Sequence, residues 1–186
     1  AYGVSKVAGY YLTKNYREAY KLFACSGILF NHESPRRNVN FVSRKITKNL
    51  SLIVKGKIKK IILGNINSKR DWGHAKDYVY AMWKILQLNK PQDFVIGTGK
   101  VHSVRDFLYL AFKRVNLDYK KYIRINKRLF RPNDNIILKA NSNKAKKILN
   151  WKPKISFKSL VNEMVDHDLN NWNNEFKDKD LFYWKL

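Results

Sequence analysis

Apolar residues in the first twenty positions recur at three-to-four spacing. Val4, Val7, Ala8, Tyr11, Leu12 and Ala19 fall largely on one face, which predicts a helix over 2–21. The run FACSGILF (23–30) that follows is apolar and of strand length, so the opening reads as α then β. The next ten residues, NHESPRRNVN (31–40), are polar and contain Pro35. They predict a loop at the end of a strand, where α/β sheets place ligand sites. Helical periodicity resumes over 41–54 through Val42, Ile46, Leu50 and Ile53, with Gly56 as the stop signal.

The later pattern is more broken. Residues 60–63 predict a short strand and 64–70 a turn-rich loop. A helix over 75–88 carries Val79, Met82, Trp83 and Leu86 on one face, and 94–96 is a brief strand before Gly97 and Gly99. Ser103, with Asp106 three residues on, predicts a capped helix start running to Val115. Residues 118–134 are irregular and basic, with strands predicted at 122–125 and 136–138. Ser142 or Asn143 caps a short helix to Leu149, Trp151-Lys152-Pro153 is a turn, and 157–172 form a last amphipathic helix. Beyond Asn173 the chain is polar and then aromatic. The alternation argues α/β, but the strands are too few for a complete doubly wound sheet. No Gly-rich dinucleotide loop or P-loop occurs, and Gly97-Thr98-Gly99 is too short to count as one.

Composition narrows the picture. The 45% hydrophobic and 14% aromatic content excludes a disordered basic tail, and 186 residues suffice for a folded core. No apolar run approaches the ~20 residues of a membrane-spanning helix. Lys6, Lys14 and Arg17 break the first apolar stretch, unlike a signal peptide. The single cysteine cannot form an internal disulfide, which favours a reducing, cytoplasmic setting. The formal charge of +24 invites a nucleic-acid reading. Yet Lys, Asn and Ile, all with A/T-rich codons, total about a third of the chain, and the lysines are spread along it. Only 57–60 and 144–147 cluster, so most of the excess reads as solvated surface and a smaller part as cations for an anionic ligand.

Tyr2 and Lys6 form a Tyr-x-x-x-Lys pair on one helical face. An ammonium beside a phenol stabilises the phenolate and equips tyrosine as a general base toward a sugar hydroxyl. The spacing alone is weak in a chain with 11 tyrosines.

Its context is specific. Tyr-Gly-x-Ser-Lys (2–6) is followed by Asn15-Tyr16-Arg17, NHESPRR (31–37), Phe41-Val42-x-Arg44-Lys45-Ile46-Thr47 and Leu63-Gly64-Asn65. Then come KRDWGHAKDYV (69–79), Ala81-Met82-Trp83, Thr98-Gly99, His102-Ser103-Val104-Arg105, Phe130-Arg131-Pro132 and Trp151-Lys152-Pro153. In this order the blocks resemble the extended short-chain dehydrogenase/reductase family, and within it the GDP-mannose 4,6-dehydratases. The likeness covers about residues 1–165.

The resemblance implies the C-terminal part of an NAD(P)-binding, Rossmann-like α/β fold plus a smaller substrate-binding subdomain. Residues 1–40 would be the remainder of the cofactor domain. Residues 41–186 would mainly bind the nucleotide sugar, interleaved with the last sheet strands. The implied activity is a lyase reaction, GDP-mannose to GDP-4-keto-6-deoxymannose, with NADP as cofactor and no metal. Tyr2 would take the 4-hydroxyl proton, and Lys6 would hold the nicotinamide ribose. His32 and Arg37 match cofactor-contacting positions. Asn31, Lys45, Gly64, Arg70, Arg131 and Asp134 match the substrate side, with Arg70 and Arg131 as diphosphate clamps. A homo-oligomer (dimer or tetramer), without membrane or nucleic-acid partners, is also implied.

There are departures. The family's usual Thr-Glu-Val-Asp after the Arg-Pro pair reads Asn133-Asp134-Asn135-Ile136, Ala140-Asn141 replaces a Gly-Asp, and Asn38 stands where Gly is common. Two alternatives stay open. One is another nucleotide-sugar dehydratase or epimerase of the superfamily, against which Trp72 and NHESPRR argue. The other is a basic binding module, marked by nucleic-acid affinity that falls linearly with salt on logarithmic axes.

The family's Gly-rich loop and Ser/Thr-x-Glu segment precede the tyrosine motif, so a C-terminal fragment is expected here. The 186-residue chain assayed alone with NADP and GDP-mannose is therefore expected to yield no 4-keto product, and product formation would overturn that expectation.

Overall fold

The computed structural model describes residues 1–130 and 137–171. In chain order the elements are α1 (Tyr2–Tyr20), β1 (Gly27–Leu29), β2 (Asn31–Glu33), α2 (Val42–Val54), β3 (Ile61–Leu63), β4 (Lys69–Arg70), β5 (Trp72–His74) and α3 (Ala75–Leu86). They continue as β6 (Phe94–Ile96), β7 (His102–Ser103), α4 (Val104–Arg114), β8 (Ile123–Ile125), α5 (Asn143–Leu149) and α6 (Phe157–Asn170). The chain divides into two compact units, each assembled from three separate stretches.

The first unit takes in residues 1–32, 71–101 and 138–156. β1 runs parallel to β6, with Ile28 opposite Val95, and β2 pairs with β5. Tyr78, Ala81 and Ile85 of α3, Phe94 and Ile96 of β6, Ala145 and Leu149 of α5, and Trp151 form one buried cluster. α3 docks there through Tyr78, Ala81 and Ile85, while the Val79, Met82, Trp83 and Leu86 face expected from the sequence is exposed, and α5 ends with Asn150 in the left-handed conformation at φ 46°. That turn sends Trp151 into the core, where its Nε1 donates to the Asp77 carbonyl at 2.8 Å. A Cβ on Gly97 would stand 2.3 Å from the Ala140 Cβ, so only glycine admits the 140 segment.

The second unit takes in 33–70, 102–137 and 157–186. β3 runs parallel to β8 and β4 antiparallel to β7. α2, α4 and α6 pack pairwise over Ile46, Leu50, Phe107, Leu108, Phe112, Leu160, Val161 and Met164, all nearly inaccessible to solvent. α2 ends as its glycine predicts. Gly56 sits at φ +70°, its N–H donates to Ile53 O, and the Lys57 N–H donates to Leu52 O. This pair of bonds is the Schellman closure.

Several expectations change. The 31–40 loop opens with strand β2, and the 64–70 loop contains β4. Such two- and three-residue strands are set by their partners, so no local alternation announces them. Ile137 and Leu138 are exposed and not in a strand, and position 136 lies outside the described residues. Ser142 precedes α5 but does not cap it. Its Oγ donates to Gly97 O at 2.8 Å and accepts from Gly97 N at 2.9 Å. The apolar stripe of α1 is real in sequence, yet no residue of that helix is buried. The segment after Asn173 is outside the described residues.

The cap of α4 follows the pattern read from its sequence. Ser103 Oγ accepts from Asp106 N at 3.0 Å, and Asp106 Oδ2 accepts from Ser103 N at 2.7 Å. Ser103→Ala should cost ~1 kcal/mol of stability, the usual value for a lost cap, read as a lower urea midpoint with unchanged slope. An unchanged midpoint would show that the box adds nothing.

Candidate functional site

The tyrosine–lysine pair stands on the first turns of α1. Both side chains are exposed, and Lys6 Nζ lies 5.1 Å from the Tyr2 ring centroid. One helical turn thus brings phenol and ammonium onto a common face, as the spacing requires.

What fixes α1 is an ion pair at its other end. Arg17 Nη1 and Nη2 donate to the two oxygens of Asp93 at 2.8 Å each, and Nη1 also donates to Ala24 O at 3.1 Å. The backbone N–H of Ser26 donates to Asp93 Oδ1 at 2.7 Å. The Arg17 hydrogen bonds hold the Asp93 carboxyl below its ordinary value despite some desolvation, and Asp93 in turn raises Arg17. The bidentate geometry gives the pair direction as well as charge.

Asn31 and His32 lie on β2, both half-buried. His32 Nδ1 is 2.9 Å from Phe30 O. A carbonyl only accepts, so this nitrogen carries the proton and Nε2 is left as the acceptor. The ring lies 5.4 Å from that of buried Tyr78.

Arg37 and Lys45 belong to the second unit. The Arg37 guanidinium lies over the Phe41 ring, 3.6 Å from its centroid. Its Nε is 3.3 Å from Glu33 Oε2, near enough for charge attraction but not aligned as a hydrogen bond. Glu33 itself is buried and accepts from Ser43 Oγ at 2.6 Å. Arg36 points outward. Lys45 follows on α2 and is half-buried, and desolvation lowers its pKa.

Gly64 ends β3. A Cβ there would come 2.8 Å from the Leu129 carbonyl oxygen, so the fold itself demands glycine at this position. Arg70 is the last residue of β4, opposite His102, and its Nη1 donates to Lys69 O at 2.7 Å. Arg131 and Asp134 lie outside the described residues.

Three polar assemblies carry no signal in the local spacing. Asp71, in KRDWGH, is buried and accepts from Thr98 N (2.9 Å), Thr98 Oγ1 (2.5 Å), Gly99 N (2.8 Å) and Ala140 N (3.1 Å). Asp77 accepts from Lys154 N and Ile155 N at 2.9 and 3.0 Å. Arg44 pairs with Asp168, 124 positions away. The motif blocks contain Asp71, Asp77 and Arg44, but only the fold supplies their partners. Among the described residues no cluster of His, Cys, Asp or Glu could hold a metal ion, and no helix is long and apolar enough to cross a membrane.

Comparison with known proteins follows the same blocks. The family model described as GDP-mannose 4,6 dehydratase matches residues 1–164. "GDP-mannose 4,6 dehydratase 1" of Arabidopsis thaliana is 54% identical over 168 residues, covering 90% of this chain and 46% of that protein. The Homo sapiens GDP-mannose 4,6 dehydratase is 45% identical over 185 residues, covering 90% and 50%. The chain spans about half the length of the curated relatives it matches. Among solved structures, RMD from Pseudomonas aeruginosa complexed with NADPH superposes with a TM-score of 0.81 at 17% identity, covering 91% of this chain and 56% of that one. A UDP-glucuronic acid 4-epimerase from Bacillus cereus gives 0.77 at 18% identity, covering 91% and 52%. The α/β fold is thus that of extended short-chain dehydrogenase/reductases.

Stability should report the Arg17–Asp93 anchor through pH. Because the Asp93 pKa is depressed when folded, its contribution is present above the ordinary value of 3.8 and is lost as pH falls through the folded value. Asp93→Asn should lower stability near pH 7 by ~1–2 kcal/mol and flatten the acid limb below about pH 4. An acid limb identical to the parent's would contradict this role.

Proposed function

As the chain belongs to the GDP-mannose 4,6-dehydratase family, we propose that it forms part of an enzyme dehydrating GDP-mannose to GDP-4-keto-6-deoxymannose. The observation that carries this reading is the exposed Tyr2–Lys6 pair on one face of α1, at the head of the family blocks.

In this reading residues 1–40 contribute to the cofactor side, and 41–186 mainly to the nucleotide-sugar side. NADP, when bound, supplies the acceptor and donor of hydride. The available cations suit such an anionic dinucleotide. Lys6 is exposed, and the Arg37 guanidinium is held flat against Phe41 with its edge able to donate. His32, with Nδ1 committed to Phe30 O, offers Nε2.

Tyr2 takes the proton of the sugar 4-hydroxyl as C4 is oxidised. The Lys6 ammonium stabilises the Tyr2 phenolate that serves as this base and orients the ribose. Oxidation at C4 acidifies the C5 hydrogen, so water can leave across C5 and C6. Hydride returned to C6, together with a proton returned to C5, would complete the balance and leave a 4-keto-6-deoxy sugar. Arg70 meets the diphosphate and Asn31 bonds a phosphate oxygen. Lys45, whose charge burial disfavours, is proposed to meet the anionic substrate. Arg131 and Asp134 are proposed to complete the substrate contacts, and Gly64 to leave backbone open to the guanine. A homo-oligomer in the cytoplasm fits the reading, the latter supported by the single unpaired Cys25.

In the complete enzyme, Tyr2→Phe should reduce kcat by at least ~10²-fold, the lower end of acid–base contributions, with little change in GDP-mannose affinity. Turnover near that of the parent would remove Tyr2 from the reaction.

A further inference from the structure

The segment that carries Arg37 is short of internal support. Over 34–41 its bonds are Arg37 N to Ser34 O at 2.9 Å, Phe41 N to Asn38 O at 3.1 Å, and two serine and asparagine turn contacts. Its main attachment comes from α2. Arg44 is 3% exposed and faces two ways. Its Nε donates to both Asp168 oxygens at 3.0 and 2.9 Å, and its Nη2 donates to Oδ1 at 2.8 Å. Its Nη1 donates to the carbonyls of Pro35 and of Arg37, the latter at 3.0 Å.

Asp168 is held in turn. It is 1% exposed, and Thr47 Oγ1, one turn beyond Arg44, donates to its Oδ2 at 2.6 Å. His167 Nδ1 stands 3.6 Å from Oδ1. One planar guanidinium therefore ties the loop backbone at Arg37 to a carboxylate on α6. Lysine could not copy this, since a single ammonium cannot reach carboxylate and carbonyls in that fork. Beside it, Ser43 holds Glu33 at the start of the same loop, and Phe41 backs the Arg37 side chain.

We propose that Arg44, backed by Asp168 and Thr47, is a positioning residue that presets the Arg37 loop for the anionic cofactor. This rests on the reading of Arg37 as an NADP contact. The clamp acts on the carbonyl of Arg37 itself, so the loop's ordering is met during folding rather than at each binding event.

The test compares Arg44→Lys, Thr47→Val and Arg37→Ala in the complete enzyme. NADP affinity is measured by calorimetry, and amide hydrogen exchange is followed over 34–41 and over 46–53 without NADP. Arg44→Lys should speed exchange at 34–41 by roughly tenfold, leave 46–53 nearly unchanged, and weaken NADP binding by a similar factor. Thr47→Val, which removes one hydroxyl, should act in the same direction more weakly, and it decides the matter if Arg44→Lys unfolds. If Arg37→Ala weakens NADP binding while the clamp variants leave loop exchange or NADP affinity unchanged, the positioning role is overturned. If Arg37→Ala itself leaves NADP affinity intact, the cofactor reading of Arg37 fails and this inference falls with it.

Discussion

A carboxylate removed from water must be met by donors at once, or it will not stay charged and buried. Glu33, Asp71, Asp77 and Asp168 are each less than a tenth exposed, in a chain with only 14 acidic residues. Three of them draw their donors from irregular chain or from an element far off in sequence, and Glu33 draws its from Ser43 in the first turn of α2. Asp71 gathers backbone N–H groups from 98–99 and 140, and Asp77 gathers those of 154 and 155. Asp168 takes a guanidinium, and Glu33 a serine hydroxyl. The loops acquire their shape because these four charges have to be satisfied.

The same fact recasts the excess of positive charge. Arg17 and Arg44 are spent on internal carboxylates, and Arg114 on Asp166 at the surface. Arginine, with its fork of donors, takes these structural pairings, while the described lysines stay at the surface apart from the buried Lys48 and the half-buried Lys45 and Lys84. Net charge therefore says little about a partner. What the charge count does not convey is orientation, as in Arg37 held flat against Phe41.

Periodicity located α1, α2, α3 and α6 because three-to-four spacing is a property of the segment itself, although the stripes it named on α1 and α3 are exposed. Phe94–Ile96 and the Ser103 box were equally local, and both stand as read. β2, β4 and β5 were not legible, since two or three residues become a strand only when a partner supplies the ladder. Ser142 had the right chemistry for a cap and the wrong neighbour, because Gly97 reaches its hydroxyl first. Candidate site residues came from motif order rather than from pattern. For Gly64 the fold supplies a reason that the motif did not, in the carbonyl of Leu129. The partner of Arg44 lies 124 residues downstream, beyond any window in which spacing carries information.

Trp151 closes the core begun by Tyr78, and Asp168 closes the clamp begun by Arg44. On a ribosome that interval has a duration. At ~5–20 residues per second, the cluster around Tyr78 waits about 4–15 s for its tryptophan, and α2 waits longer for α6. During that time the apolar stripes of α2 and α3 stand open, with the buried charges of Glu33, Arg44 and Asp77 still in water. Neither compact unit can form from a contiguous stretch, so each waits for its third stretch before it can close. Until α6 arrives those open stripes are the surfaces on which misassembly can start, and like-charged lysines oppose it.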